Sequence, residues 1–162
     1  MTATTSLTFE PMVWGHIDEV LRIEVESFGD DAWTQGQFWD ELGAPEDLKV
    51  YVCAMSNGQV VGYAGLQVIA PEAEILTVAV ANSQRRRGVG SALVAELQRQ
   101  ARARNCTLMH LEVESTNTSA KAMYVALGYS GSGLRANYYG LGRDAVLMQC
   151  QLAPGCAGDG DV

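Results

Sequence analysis

The segment from Glu74 to Arg104 limits most narrowly what this chain can fold into. Its first part, Glu74 to Ala81, is apolar on both alternating faces and reads as a central strand. It runs straight into Arg85-Arg86-Arg87-Gly88-Val89-Gly90. A helix follows to about Arg104, with Val89, Leu93, Leu97 and Ala101 in register. The first turn of a helix carries unpaired N–H groups and the positive end of the dipole, so this turn suits an anion. Glycine lets the backbone approach such an anion closely. Two glycine motifs are excluded. A P-loop needs Gly-Lys-Ser/Thr, and here Gly90 is followed by Ser91-Ala92. A dinucleotide fingerprint needs a third glycine where Leu93 stands and a carboxylate where His110 stands. Gly88-x-Gly90 by itself reads equally as a tight strand-to-helix turn, and the arginine run as a solvated loop.

The flanking sequence alternates between the two periods. Ser6–Glu10 reads as a short strand. Ile17, Val20, Leu21, Glu24 and Phe28 place a mostly apolar stripe on a helix over about 15–28. Thr34-x-x-Gln37 is a capping box that opens a short helix to about Leu42, and Gly29–Trp33 is the loop before it. Lys49–Met55 and Gln59–Ile69 are strands joined by Asn57-Gly58, a two-residue hairpin signal. Pro71 ends the second of them. Thr107–Val113 is a strand, and Asn117 caps a helix with Ala120, Met123, Tyr124 and Leu127 on one stripe. Tyr129–Gly131 and Ala145–Leu152 read as strands around the loop Arg135-Ala136-Asn137-Tyr138-Tyr139. The order β α α β β β α β α β β makes a mixed α/β fold, with helices packed on a sheet of six or seven strands.

A chain of 162 residues, 48% hydrophobic and 19% charged, is expected to form one globular domain, residues 1–153. The acidic, Gly-rich end, 154–162, reads as a frayed tail. A net charge of −8 argues against tracking nucleic-acid phosphates or docking on an anionic membrane, and fits cationic partners. No apolar run of 18 residues occurs, and Met1–Ser6 lacks the basic and apolar parts of a signal peptide, so a cytoplasmic protein is expected. Cys53, Cys106, Cys150 and Cys156 form no CxxC pair and make no ligand spacing with His16 or His110. No metal site is expected; the cysteines read as small apolar fillers with one exposed tail thiol.

Taken together, Val78-Ala79-Val80, Arg85-x-x-Gly88-x-Gly90, Leu111-Glu112-Val113, Asn117, and Tyr124 within Ala120–Tyr129 resemble a GNAT-type N-acetyltransferase over about residues 6–152. The Leu-Glu-Val strand, the Tyr-x-x-x-Gly-Tyr helix end and Asn137-Tyr138-Tyr139 are similar to the ribosomal-protein-alanine N-acetyltransferases, which act on protein N-termini. The resemblance implies a GNAT fold, its central sheet mostly antiparallel with about four helices on both faces, and acetyl-coenzyme A as cosubstrate. Val78, Ala79 and Val80 would offer backbone groups to its acetyl and pantetheine parts. Arg86, Arg87, Gly88, Val89, Gly90 and Ser91 would wrap the pyrophosphate, and Asn117 would also touch the coenzyme. Glu112 would be the general base and Tyr124 the general acid. Trp33, Tyr138 and Tyr139 would line the groove for the acceptor peptide, such as a ribosomal protein. The chain departs from the common pattern at Ser91, where arginine is frequent, at Ala136, and at Ala32 before Trp33.

Each of these residues also has a plainer reading. Glu112 shares a strand face with His110 and Glu114, so a solvated carboxylate fits the pattern, and Glu114 is the alternative base. A tyrosine on an apolar helix stripe, such as Tyr124, is usually core. Asn117 is a natural N-cap, a role compatible with touching a ligand. Tyr138 and Tyr139 fit hairpin packing, and Trp33 fits a half-buried loop. Two other functions remain open at this point: acetylation of lysines or small amines, and non-catalytic sensing of an acyl-coenzyme A.

Overall fold

Asn57 and Gly58 both take positive φ, 51° and 75°, as a two-residue hairpin turn demands. They join strands that the computed structural model, which describes residues 6–153, places at the second and third positions of one sheet. The elements are β1 (Thr8–Pro11), α1 (Ile17–Phe28), α2 (Gln35–Leu42), β2 (Lys49–Ser56), β3 (Gln59–Ile69) and β4 (Glu72–Val80). They continue as α3 (Val89–Ala103), β5 (Leu108–Glu114), α4 (Thr118–Ala126), β6 (Ser130–Gly140) and β7 (Arg143–Gln151). The strand order is β1-β2-β3-β4-β5-β7-β6. β1/β2, β2/β3, β5/β7 and β6/β7 pair antiparallel, and β4/β5 is parallel. The mixed α/β expectation therefore stands. The tail expectation, with Cys156, falls outside the described residues.

Packing divides the described chain into two compact units. One runs to Gln67 and includes Leu76–Leu97; the other holds Val68–Ile75 and the chain from Gln98 onward. In the first unit, Met12, Ile17, Val20, Ile23, Phe38, Tyr51 and Tyr63 form a buried cluster. Phe38 and Tyr63 meet edge to face at its centre, 5.8 Å between ring centroids. Thr34 and Gln37 close the capping box on α2 that their spacing predicts. In the second unit, β5 alternates strictly: Met109, Leu111 and Val113 are buried, while Leu108, His110, Glu112 and Glu114 are partly exposed. That alternation aims Glu112 away from the apolar face.

The sequence-based reading of 135–139 as a loop is corrected. These residues lie within β6, which runs to Gly140. The strand is hard to recognise because nearly every position in it is exposed, so no apolar alternation marks it. Its pairing with β7 is irregular: Arg135 faces Ala145, and the next register pair is Gly140 with Arg143. Ala136–Tyr139 thus bulge out of the ladder.

Glu24 occupies an inward position of α1 and is 2% exposed. One carboxylate oxygen accepts the Trp33 N–H at 2.9 Å, and the other is buried without a hydrogen-bond partner. Burial pushes this carboxyl from 4.5 up to about 7, against the opposing pull of the Trp33 bond. Between those two pH values the folded chain holds a proton that the unfolded chain has lost. Stability therefore falls as pH rises through that window and levels off above it. From pH 5 to 8 this one group is expected to remove about 1–3 kcal/mol. Glu24→Gln cannot ionise, and its amide oxygen can still accept from Trp33. Urea denaturation at both pH values should show the fall in the wild type to be larger than in the variant by that amount.

Candidate active site

The glycine turn belongs to the first unit. Leading into it, Val78 and Val80 are partly exposed and Ala79 is buried. Gly62 of β3 lies against this strand end. A Cβ there would stand 2.9 Å from the Ala79 carbonyl oxygen and 3.0 Å from Leu93 Cδ1, so only glycine allows so close an approach. Beyond Val80 the chain makes a short 3₁₀ turn, Asn82–Gln84, whose first N–H donates to Glu26 Oε1 at 2.8 Å. The Arg85 guanidinium donates to the Val80 carbonyl and the Ser27 hydroxyl, each at 3.3 Å. Both contacts tie the turn to its surroundings, so Arg85 is occupied structurally while Arg86 and Arg87 are exposed.

Arg86 and Gly88 then take positive φ, 62° and 79°, before α3 opens at Val89. A Cβ on Gly88 would meet nothing within 4 Å, so the backbone conformation demands glycine there and space does not. The Ala92 N–H reaches the Gly88 carbonyl at 3.0 Å as the first bond of the helix. The N–H groups of Val89, Gly90 and Ser91 come before it. Those donors, the helix dipole and two exposed arginines suit a multiply charged anion such as a pyrophosphate.

The second unit holds the carboxylates. Glu112 Oε1 lies 2.9 Å from Arg135 Nη1, with side-chain exposures of 14% and 54%. Glu114 is engaged differently. Arg143 Nε and Nη2 donate to its two oxygens at 2.7 and 3.2 Å, and Arg143 also donates to the Tyr139 carbonyl at 3.1 Å. This fork-like pairing fixes the alternative base in a structural bond. Each arginine also covers a ring: Arg135 lies 5.4 Å from the Tyr138 ring centroid and Arg143 lies 5.9 Å from that of Tyr139.

The tyrosines join this network. The Tyr138 phenol is raised, first by hydrogen bonding toward Glu112 and then by burial and the Glu112 and Glu74 charges, against the opposing pull of Arg135. Burial first, then the charge of Glu112, pushes Tyr139 up to about 12. Tyr124 is buried and raised to about 12 by desolvation, with Tyr139 adding to it. Its ring meets Tyr129 edge to face at 5.6 Å.

The remaining expected residues sit as follows. Asn117 is exposed and caps α4, its side chain accepting the Ala120 N–H at 3.1 Å. Trp33, in the first unit, packs on Phe38 at 5.3 Å and is half-buried. Sequence reasoning missed Gly62, Glu24, Arg135 and Arg143 as parts of the arrangement. A glycine inside an otherwise apolar strand was the available signal for Gly62. No local pattern marks the two arginines, because their partners lie on another strand. Among the described residues, no group of three or more His, Cys, Asp or Glu side chains is placed to hold a metal ion, and no helix is long and apolar enough to cross a membrane.

The sequence profile of the Acetyltransferase (GNAT) family matches residues 17–129, a span that draws on both units. The chain is 35% identical over 156 residues to the N-alpha-acetyltransferase RimI of Mycobacterium tuberculosis, covering 92% of this chain and 96% of that one. The crystal structure of the ribosomal-protein-S18-alanine N-acetyltransferase from Escherichia coli superposes with a TM-score of 0.81 at 25% identity, covering 97% and 99% of the two chains. That of Ard1 from Thermoplasma volcanium gives 0.81 at 28% identity, covering 91% and 98%. The chain belongs to the GNAT acetyltransferase family, as its turn, strand and helix motifs indicate, and is an acyltransferase of that family.

The bulge that presents Tyr138 and Tyr139 depends on Asn137. Its φ is +56°, its N–H donates to Asp144 Oδ1 at 2.9 Å, and its own side-chain oxygen accepts the Gly142 N–H at 2.7 Å. Asn137→Ala is expected to cost about 1–2 kcal/mol, from the left-handed backbone and the lost hydrogen bond. Asn137→Gly should lose less, because it removes the bond without the backbone penalty. Urea denaturation of the two variants checks the order.

Proposed function

We propose that the protein transfers the acetyl group of acetyl-coenzyme A to the N-terminal α-amine of a protein, with a ribosomal protein beginning with alanine as the leading acceptor. The observation that carries this reading is the state of Glu112. It is a largely enclosed carboxylate on β5 with the exposed Arg135 guanidinium 2.9 Å from one oxygen, while Glu114 on the same strand face is gripped at both oxygens by Arg143. Similarity to an N-alpha-acetyltransferase along 92% of the chain supports the choice of acceptor.

When bound, the coenzyme supplies an activated acetyl thioester. The backbone N–H groups of Val89, Gly90 and Ser91, with Arg86 and Arg87, hold its pyrophosphate. Gly88 keeps that turn open, and Val78, Ala79 and Val80 offer backbone groups to the acetyl and pantetheine parts. Asn117 also touches the coenzyme. Trp33, Tyr138 and Tyr139 line the acceptor side. As the amine nitrogen bonds to the acetyl carbon, Glu112 takes one proton from it. As the carbon–sulfur bond breaks, the sulfur takes one proton from the Tyr124 hydroxyl, and exchange with solvent restores both side chains. A phenol near 12 is a weak donor to a solvated thiolate. Desolvation raises a thiolate's proton affinity too: burial pushes the Cys53 thiol up to about 12 in this same chain. The α-amine is the easier acceptor, because its pKa of about 7.7–8.0 lies well below lysine's ~10.4.

Three measurements test the reading. Glu112→Gln should lower kcat by about 10²–10⁴ at pH 7, with the deficit shrinking at high pH, where the amine arrives neutral. Gly88→Val forces a β-branched residue into the left-handed region, and calorimetric titration should show weaker acetyl-coenzyme A binding by a chain that still folds. Mass spectrometry of a peptide with a free N-terminal alanine and internal lysines should find the acetyl group on Nα. Acetyl on lysine in preference to the N-terminus overturns the proposed acceptor, and coenzyme binding without turnover favours an acyl-coenzyme A sensor.

A further inference from the structure

Trp14, in the turn before α1, is 57% exposed, and Trp39, on α2, is 50% exposed. Their rings meet edge to face, 5.9 Å between centroids and 87° between planes. Val13, next to Trp14 in the chain, is exposed too. Single exposed apolar side chains are ordinary, but two tryptophans packed on each other in water leave apolar surface that a partner would cover. The core does not use them. On α2, Phe38 is buried against Trp33 and Tyr63, while Trp39 faces out. The charges near the pair have one sign. Asp40 follows Trp39 on α2, Asp18 lies in the first turn of α1, and both are exposed. Glu10 reaches the same turn through His16, whose ring is 3.6 Å from Glu10 and accepts the Val13 N–H at 3.1 Å. Within the first 48 positions eleven residues are acidic and Arg22 alone is Lys or Arg. Lys49, the next cation, is bound to Glu41. Such a rim repels a nucleic acid, an anionic lipid surface and a second copy of the same face, and attracts cationic side chains. Tryptophan is also the best ring for holding a cation, arginine most often.

We propose that Trp14 and Trp39, with Asp18 and Asp40, form a docking site for an arginine- or lysine-rich segment of the acceptor protein, downstream of the N-terminus that is acetylated. The aliphatic stems of that segment cover the two rings, and its charged heads meet the ring faces and the carboxylates. Each such contact is weak at an exposed site, so the segment is held by several together. Its hold raises the effective concentration of the N-terminus at the reacting groups. Helix α2 carries both ends of the acceptor: Trp39 follows Phe38, and Phe38 packs on Trp33, the residue assigned to the acceptor side. The inference rests on the reading of the acceptor as a protein, and it leaves the chemistry of transfer unchanged.

Two double variants test the two halves of the site: Trp14→Ala with Trp39→Ala, and Asp18→Asn with Asp40→Asn. Thermal melting of each checks that it folds. The probe is a peptide of alternating arginine and alanine, blocked at both ends so that it has no α-amine to acetylate. Calorimetric titration should show it binding the wild type. The tryptophan variant should weaken that binding about tenfold and the aspartate variant about threefold, and added salt should weaken it further. The same peptide with glutamate for arginine should not bind. In turnover, joining the arginine–alanine tail through a flexible linker to an alanine-first peptide should lower KM about tenfold in the wild type, with kcat little changed. The tryptophan variant should lose that advantage. No binding of the arginine peptide, or binding that neither double variant weakens, overturns the site. Binding with no effect of the tail on KM overturns the acceptor as its source. Self-association of the wild type that the tryptophan variant abolishes assigns the rings to a second copy and overturns the proposal as well. If no alanine-first peptide is acetylated at Nα, with or without the tail, the acceptor reading beneath it fails instead, so the two failures are distinct.

Discussion

Helix α1 holds the first unit in shape through three carboxylates that cap backbone elsewhere. Glu19 accepts the Val60 N–H at 2.9 Å, Glu24 accepts Trp33 at 2.9 Å, and Glu26 accepts Asn82 at 2.8 Å. Each bond ends an otherwise orphaned donor: at the start of β3, in the loop before α2, and in the turn that leads to α3. A charge-assisted bond to a backbone N–H is stronger than a neutral one. The glycine turn before α3 is positioned this way, by a helix far from it in sequence. Gly62 and Arg85 complete the hold from β3 and from within the turn itself.

The acidity of the chain looks different in that light. Eleven of the 19 acidic residues lie within the first 48 positions, against one of the 11 basic ones. Composition alone reads this as attraction for a cationic partner. Part of it is structural: Glu41 binds Lys49 and the Tyr51 hydroxyl, and the three α1 carboxylates bind backbone. Exposed Asp18, Asp30, Asp40, Glu46 and Asp47 remain to create a long-range field. On β5 the logic reverses, because Glu112 and Glu114 are each matched by an arginine from the terminal hairpin. Arg135 and Arg143 also stack on the tyrosines next to them, so charge pairing and ring placement there are one arrangement.

Much of this was legible in the order of residues. The Asn57-Gly58 turn, the Thr34–Gln37 box, the Asn117 cap and the alternation of β5 are short-range effects. Each depends on backbone chemistry within a few residues, and each formed as its pattern predicts. Tyr138 and Tyr139 were visible as residues, but their setting was not. An edge strand that is exposed almost throughout has no hydrophobic period to betray it, and its bulge answers to Asp144 on the neighbouring strand.

The strand at 135–139 aside, the sequence by itself determined most element types, their order and the positive-φ glycine turn at which α3 starts. Those follow from local sterics and hydrophobic spacing, which act along the chain. Only the tertiary structure decided which arginine meets each β5 carboxylate, and why Glu24 sits in a core with one oxygen bound to Trp33 and the other unpartnered. Such outcomes depend on side chains that meet across strands and helices, where register and burial set the partner and sequence distance carries no signal.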